Sequence, residues 1–422
     1  MFSQLSRNSL WLFLARLGTQ VGLVLFTVIL ARELGTQAFG EYAFMAAVVL
    51  IGNTLTTFGT DMYLIREIAA SADDSLLGPA LTLQLLLSAL FIVLIFIASW
   101  FLPRLGSEAI VAMRIYSLSM IPLAFFTVYT ITLRAHQRML AYSLLNMAII
   151  TLQVAAILVL VSLHGGLVGL ALLLLLAQCL AALIAASLAH LRLSLVHLRR
   201  ASFSQVLRLA RASASIATLA IIGILYQRLS LLILPFLGGS AVTGWFSAAA
   251  RVVEAAKMVH IAVFTAIFPM MAQARSAPTA DFARALRLPW LILLGGALLA
   301  ALAISSCAAA LADLLYGPAY AASVPLLRIL AWTLIPYSIN GFLTLAYLAR
   351  GHTGSILRAL AAATIALVVL TVWLFPLAGA PAAALAALSA EIIQAIVLAL
   401  HLGQARHLVP SASDGRYRLS TQ

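Results

Sequence analysis

The chain is expected to be an all-α integral membrane protein of twelve transmembrane helices, arranged as two six-helix lobes related by a parallel repeat. Three observations predict this. First, the chain is 64% hydrophobic and 9% charged over 422 residues, with a mean hydropathy of +1.11. A soluble domain carries about 25% charged residues, so there is too little polar surface here to face water all round. Second, the apolar residues gather into runs long enough to cross a bilayer. Third, pieces of the first half return in order in the second.

A spanning helix needs about 20 mostly apolar residues. That rule places spans at 8–30, 41–60, 77–101, 109–133, 142–163, 165–190, 212–236, 241–269, 287–311, 322–348, 354–376 and 379–402. The first run is interrupted by Arg16 and continues to Leu30. It is too long for a signal-peptide core and reads as a retained span. No stretch alternates in the strand manner for long, and only helices or closed barrels cross hydrocarbon.

Arginine orients the spans. The loops after even-numbered spans, with the two tails, hold 17 arginines, and the opposite side holds Arg32, Arg104, Arg114 and Arg328 only. Basic residues collect on the cytoplasmic side, so both termini are expected there. The net charge of +13, with Lys257 the only lysine, is read as this topology signal and not as a nucleic-acid surface. The longest basic connector divides the chain into a lobe at 1–190, a linker at 191–211, a second lobe at 212–402 and a tail at 403–422. Within the linker, Ser202 to Arg211 has helical spacing. It reads as a cytoplasmic connector or as a helix lying along the inner surface.

The repeat rests on three matches. Arg114-Ile115 precedes Ile121-Pro122 as Arg328-Ile329 precedes Ile335-Pro336, and an Arg-X-His follows each, at Arg134 to His136 and Arg350 to His352. Leu34-Gly35 with Gly40-Glu41-Tyr42 matches Leu237-Gly238 with Gly244-Trp245-Phe246, with one extra residue. Gly166 precedes Gln178 as Gly379 precedes Glu391. Each match shifts by six spans, and an even shift preserves topology, so the repeat axis runs along the membrane normal.

Charges inside spans are costly, about 2.5–3.5 kcal/mol each at the centre on insertion scales. Arg16, Arg228, Arg251, Lys257, Glu254 and Glu391 are therefore expected to face a wet interior or one another. Arg251, Glu254 and Lys257 are spaced by three and share one helix wall. Four cations against two acids favour an anionic ligand; internal pairing is the alternative, with snorkelling a further one for Arg16. Asp61 reads as a boundary salt bridge with Arg66, and His260 as a packed polar residue. Asn53, Gln84, Gln153, Gln178 and Asn340 read as sugar contacts or interhelical hydrogen bonds. No nucleotide loop, metal cluster or catalytic constellation is present in the sequence, and the two cysteines lie in apolar runs. No cofactor, metal site or enzymatic role is expected.

Several motifs resemble the oligosaccharide flippases of the multidrug/oligosaccharidyl-lipid/polysaccharide exporter superfamily, the O-antigen-type polysaccharide transporters. They are Leu30-Ala31-Arg32-Glu33-Leu34-Gly35, Phe39-Gly40-Glu41-Tyr42, Phe58-Gly59, Arg66-Glu67, Gly244-Trp245-Phe246-Ser247-Ala248-Ala249 with Arg251, Phe268-Pro269, and Leu315-Tyr316-Gly317 with Tyr320. The resemblance implies a V-shaped pair of lobes with alternating access. Its cargo would be a polyprenyl-diphosphate-linked glycan moved from the cytoplasmic to the outer leaflet of the cell inner membrane. Arg16 and Arg251 match the placement of cations that hold the diphosphate; Arg228 and Lys257 match by depth. Partners would be membrane lipid and the polymerase and glycosyltransferases of the same pathway. A drug or metabolite antiporter on the same fold, and a membrane enzyme or scaffold of polysaccharide assembly, are the alternatives.

Overall fold

The computed structural model describes the backbone of residues 2–71, 74–102, 105–189, 201–273, 279–349 and 352–405, and the side chains of these except 2–17, 259, 261–262, 265–287, 349 and 402–405. The described residues form helices and no strands. In order these are α1 (Phe2–Thr57), α2 (Thr60–Ser71), α3 (Leu77–Ala98), α4 (Ser107–Ser117), α5 (Met120–Ala135), α6 (Met139–Ser162), α7 (Leu167–Ser187) and α8 (Phe203–Leu237). Then come α9 (Gly239–Gln273), α10 (Thr279–Ser306), α11 (Ala308–Tyr316), α12 (Ser323–Ala331), α13 (Leu334–Ala349), α14 (Thr353–Ala378) and α15 (Ala380–Ala405).

The helices are apolar on the outside and close-packed inside. On α7, Leu172, Leu176, Leu180 and Leu183 are exposed, while Ala171, Ala177, Ala181 and Ala185 are buried. Small residues let backbones approach where no water drives association, and the leucines meet lipid. Nine helical stretches among the described residues are long and apolar enough to cross a membrane, ten if the bent pair α12–α13 is one span. The chain is thus a multi-pass membrane protein, but length and composition do not reach the expected twelve. One of the nine, Gly18–Ser71, has 54 residues, about 80 Å at 1.5 Å per residue, and includes parts of the first two expected spans. Inside it Gly35 has φ 71° and ψ −179°, a conformation essentially confined to glycine, and the helix breaks there. The expected eighth span is now α9, which carries Arg251, Glu254 and Lys257 within seven residues and extends past the described side chains, so it is not among the nine.

The packing repeats between halves. α1 packs on α6 as α8 packs on α14; α6 on α7 as α14 on α15; α4 and α5 on α7 as α12 and α13 on α15; α3 on α5 as α10 on α13. The agreement extends to single hydrogen bonds. Pro122 and Pro336 have no N–H for the carbonyl four residues back. Instead Ile121 donates to Leu118 O (3.2 Å) and Ile335 to Trp332 O (3.4 Å), the tighter three-residue pattern. One residue on, Ser119 Oγ donates to Tyr116 O and Thr333 Oγ1 to Leu330 O, both at 2.6 Å. Each helix is interrupted at this point, between α4 and α5 and between α12 and α13, the second bend being 41°.

Two expected matches need a change of register. In the register of these breaks, Arg138 N bonds Leu133 O as His352 N bonds Tyr347 O. His136 then falls on Arg350, so the two Arg-X-His triplets are offset by two residues and are not equivalent. Conversely, the extra residue between Gly238 and Gly244 disappears: the glycine that matches Gly35 is Gly239, with φ 82°.

That correspondence locates the junction of the halves. A β-carbon on Gly40 would run into Ser240 O, and one on Gly244 into Thr36 O. In the glycine register Thr36 matches Ser240, so the contact is reciprocal, as a pseudo-two-fold axis requires. Around it, Arg32 donates through Nε to Leu315 O (2.8 Å) and through Nη2 to Leu314 O. Tyr320 Oη donates to Ala31 O at 3.0 Å and Tyr316 Oη to Ala248 O at 3.2 Å. The halves also meet at α2 and α8, where Gly59 lies against the Ala217 backbone. The V of well-separated lobes is not what this state shows.

Of the linker 191–211, residues 201–211 are described. Ser202 caps α8: Ser202 N donates to Gln205 Oε1 (2.9 Å) and Ser202 Oγ accepts from Gln205 N (3.4 Å). This reciprocal box starts the helix at Phe203, nine residues before the expected span at 212. Ser202 to Arg211 is therefore the first turns of a long spanning helix, not a separate surface helix.

Candidate functional site

A cavity of about 730 Å³ lies among α1, α8, α9, α13, α14 and α15. It draws Gln20 from α1 and almost everything else from the second half. Arg228, Arg251, Lys257, Glu254 and Glu391 all line it. Five of the six charges marked in the sequence thus meet in one place. The sixth, Arg16, has a side chain outside the described residues; its position is one helical turn before Gln20.

The charges are organised as two clusters. Glu254 bridges two helices: Arg228 Nη1 on α8 donates to Oε1 at 2.8 Å, and Arg251 Nη1, one turn earlier on α9, donates to Oε2 at 3.0 Å. Deeper along α9, Lys257 Nζ lies 3.7 Å from Glu391 Oε1 and 4.4 Å from the centroid of the Tyr337 ring. Asn340 Nδ2 donates to Glu391 Oε2 at 2.7 Å and to its carbonyl at 2.9 Å. The described lining carries three cations and two carboxylates. Every one of these cations has an acidic partner, and one positive charge is left over.

Residues that the sequence did not single out complete the wall. Tyr226, Gln227, Tyr337 and Gln394 line the cavity with Gln20. A spacing signal existed: Tyr337 precedes Asn340 by three, and Gln394 follows Glu391 by three, one face of a helix in each case. Of the amides proposed as sugar contacts, only Asn340 lines this cavity. Gln84 donates to Thr60 Oγ1 at 2.9 Å while fully buried, an interhelical hydrogen bond. His260 is a packed polar residue, its Nδ1 3.3 Å from Ala256 O and its ring edge-on to Tyr337. Asp61 makes no ion pair with Arg66 among the described residues, and the two cysteines are free. The described residues hold no group of His, Cys, Asp and Glu that fits a metal ion.

A membrane-embedded helical repeat around a charged cavity is the architecture of a transporter. The model of the polysaccharide biosynthesis protein family matches residues 5–275, well over half of the chain, and the protein belongs to that family. No curated protein matches it. Among solved structures, it is similar to an inward-facing multidrug resistance MATE family transporter of the MOP superfamily, with TM-score 0.76, 15% identity, and 93% of this chain and 96% of that one covered. It is similar to the lipid II flippase MurJ in an inward closed conformation, with TM-score 0.74, 13% identity and coverage of 94% and 87%. An outward-facing MATE family transporter is less similar, with TM-score 0.67, 16% identity and coverage of 94% and 96%. At these identities the likeness is one of fold: the chain has the fold of the MOP superfamily transporters.

Proposed function

We propose that this protein is a flippase that carries a polyprenyl-diphosphate-linked oligosaccharide across the cell inner membrane, from the cytoplasmic to the outer leaflet. The observation that carries the reading is the convergence of Arg228, Arg251 and Lys257 on one intramembrane cavity. A diphosphate and its sugars do not enter hydrocarbon unaided, because burying unpaired charge is prohibitive. Fixed guanidinium groups replace water around the phosphate oxygens. Tyr226, Tyr337, Asn340, Gln227 and Gln394 supply aromatic faces and amides of the kind that hold sugar hydroxyls. The lipid tail stays in the bilayer while the two lobes, 1–190 and 212–402, rock to expose the cavity to each side in turn. Membership of the polysaccharide biosynthesis protein family supports the cargo class. The arginine distribution supports cytoplasmic termini and, with them, an outer position for the junction at Gly40 and Gly244. The polymerase and glycosyltransferases that extend and build the glycan are the partners this role requires.

The test is a deletion strain analysed for lipid-linked sugars. Loss of a flippase traps them on the inner leaflet, and complementation restores outer-leaflet glycan. Unchanged outer-leaflet glycan in the deletion strain, with no second transporter of this family in the cell, would overturn the reading. A drug or metabolite antiporter is the second reading, favoured by the pairing of every described cavity cation with a carboxylate. It predicts that the deletion changes drug tolerance and leaves the glycan intact.

A further inference from the structure

The bridge formed by Glu254 is an imperfect use of two arginines. A guanidinium pairs best when two parallel N–H groups meet two oxygens of one anion. Here each arginine gives Glu254 only one nitrogen, Nη1, and each carboxylate oxygen serves a different arginine. Arg228 Nε is buried and has no partner among the described residues. Glu254 itself is the most exposed member of the trio, with 34% of its side chain accessible against 14% for Arg228 and 19% for Arg251, and it faces the cavity. Two cations on neighbouring helices are thus held by one partly exposed carboxylate that underuses both.

We infer that Glu254 is an internal stand-in for the anionic head group: it occupies the Arg228–Arg251 site when the cavity is empty and is displaced by the incoming phosphate. The inference rests on the lipid-diphosphate reading above and adds the residue that sets how tightly the cargo is held. The stand-in has two consequences. It spares the empty cavity two unpaired, largely buried cations, a costly state. It also weakens cargo binding by competition, so the cargo can leave on the far side. A diphosphate offers enough oxygens to meet both guanidinium forks, including Arg228 Nε, which one carboxylate does not. After displacement Glu254 has Lys257 three residues along the same helix, within reach of an i,i+3 pair, so its charge is not stranded.

The experiment is calorimetric titration of the purified full-length protein in nanodiscs with farnesyl diphosphate, a short lipid carrying the same head group, and with farnesol as the control. Wild-type protein should bind the diphosphate and not the alcohol. Glu254→Gln removes the competing charge and should bind about tenfold tighter, yet flip lipid-linked glycan more slowly because release is retarded. Glu254→Asp keeps the charge but is too short to bridge both arginines. It should also bind more tightly than wild type, by a smaller factor, and it keeps the test open if Glu254→Gln does not fold. Wild-type binding with both variants folded and binding equally or more weakly would overturn the stand-in and leave the flippase reading in place. Failure of folded wild-type protein to bind the diphosphate at all would overturn both.

Discussion

Arg251 is the residue on which the anion reading bears most directly. It pairs with Glu254 through one nitrogen and keeps its other donors free of that pair. Arg251→Ala should reduce flipping strongly, at least about tenfold if one charge-assisted contact to the phosphate is lost. Arg251→Lys should retain part of the rate, because lysine keeps the charge and loses the two-pronged grip. Both are read as outer-leaflet glycan in cells, with protein abundance measured in parallel. Equal loss in Arg251→Lys and Arg251→Ala would remove charge from the explanation. The cavity charges were legible in the sequence because an ionised side chain within an apolar run has few places to go. Their partners were not. Nothing in the order of residues says that Arg228 reaches Glu254 across α8 and α9, or that Lys257 meets Glu391 from α15, since those contacts depend on helix rotation. Tyr226, Tyr337 and Gln394 escaped notice for a related reason: uncharged side chains are common on any helix face, and the three-residue spacing of Tyr337 to Asn340 and of Glu391 to Gln394 is a weak signal until the cavity is seen.

Among the elements, the crossing of α1 and α9 is the most constrained. Gly40 and Gly244 each lie against a backbone carbonyl of the opposite half, so neither side can yield by rotating a side chain. Gly40→Ala or Gly244→Ala should force the helices apart at a cost of about 1–3 kcal/mol, seen as a lower thermal midpoint. If the crossing seals the outer end, cysteines placed near Tyr316 should also become more reactive from outside. Gly295 on α10 is the control: nothing lies within 4 Å of an added β-carbon. Gly295→Ala should stabilise by about 0.5–1 kcal/mol through helix propensity alone. Similar stability for Gly40→Ala and Gly295→Ala would show that the crossing is looser than described. The repeat that defines these elements was visible in the sequence at Pro122 and Pro336, because a missing N–H leaves the same backbone scar in both halves. The Arg-X-His triplets were a poorer guide. They sit at helix ends, where charge is selected for topology and exact register is not demanded by packing. The glycine match was one residue out for a similar reason, since Gly238 and Gly239 are adjacent and only backbone φ shows which one breaks the helix.

For the whole molecule, fold class followed from composition and run length, and the structural relatives share it. Span number did not follow as simply, because α1 runs through a glycine break without a polar loop and joins two expected spans into one helix. Orientation is open to a direct check. A cysteine at Ser202, beside the α8 cap, should be labelled only from the cytoplasmic side, and one at Ser240, at the junction of the halves, only from outside when it is reachable at all. Labelling of Ser240 from inside would invert the topology and, with it, the direction of transport. The central claim is that the cavity cations carry the diphosphate of a lipid-linked glycan across the membrane. Its most direct measurement is flipping by purified protein in liposomes, read as glycan newly accessible to an impermeant reagent, for wild type against Arg251→Glu at equal protein content. The account predicts transport by wild type and none above protein-free vesicles for Arg251→Glu, which adds a third carboxylate to the site and repels the phosphate. Transport by Arg251→Glu at the wild-type rate would contradict it, and the cluster would then be internal pairing that holds α8 to α9.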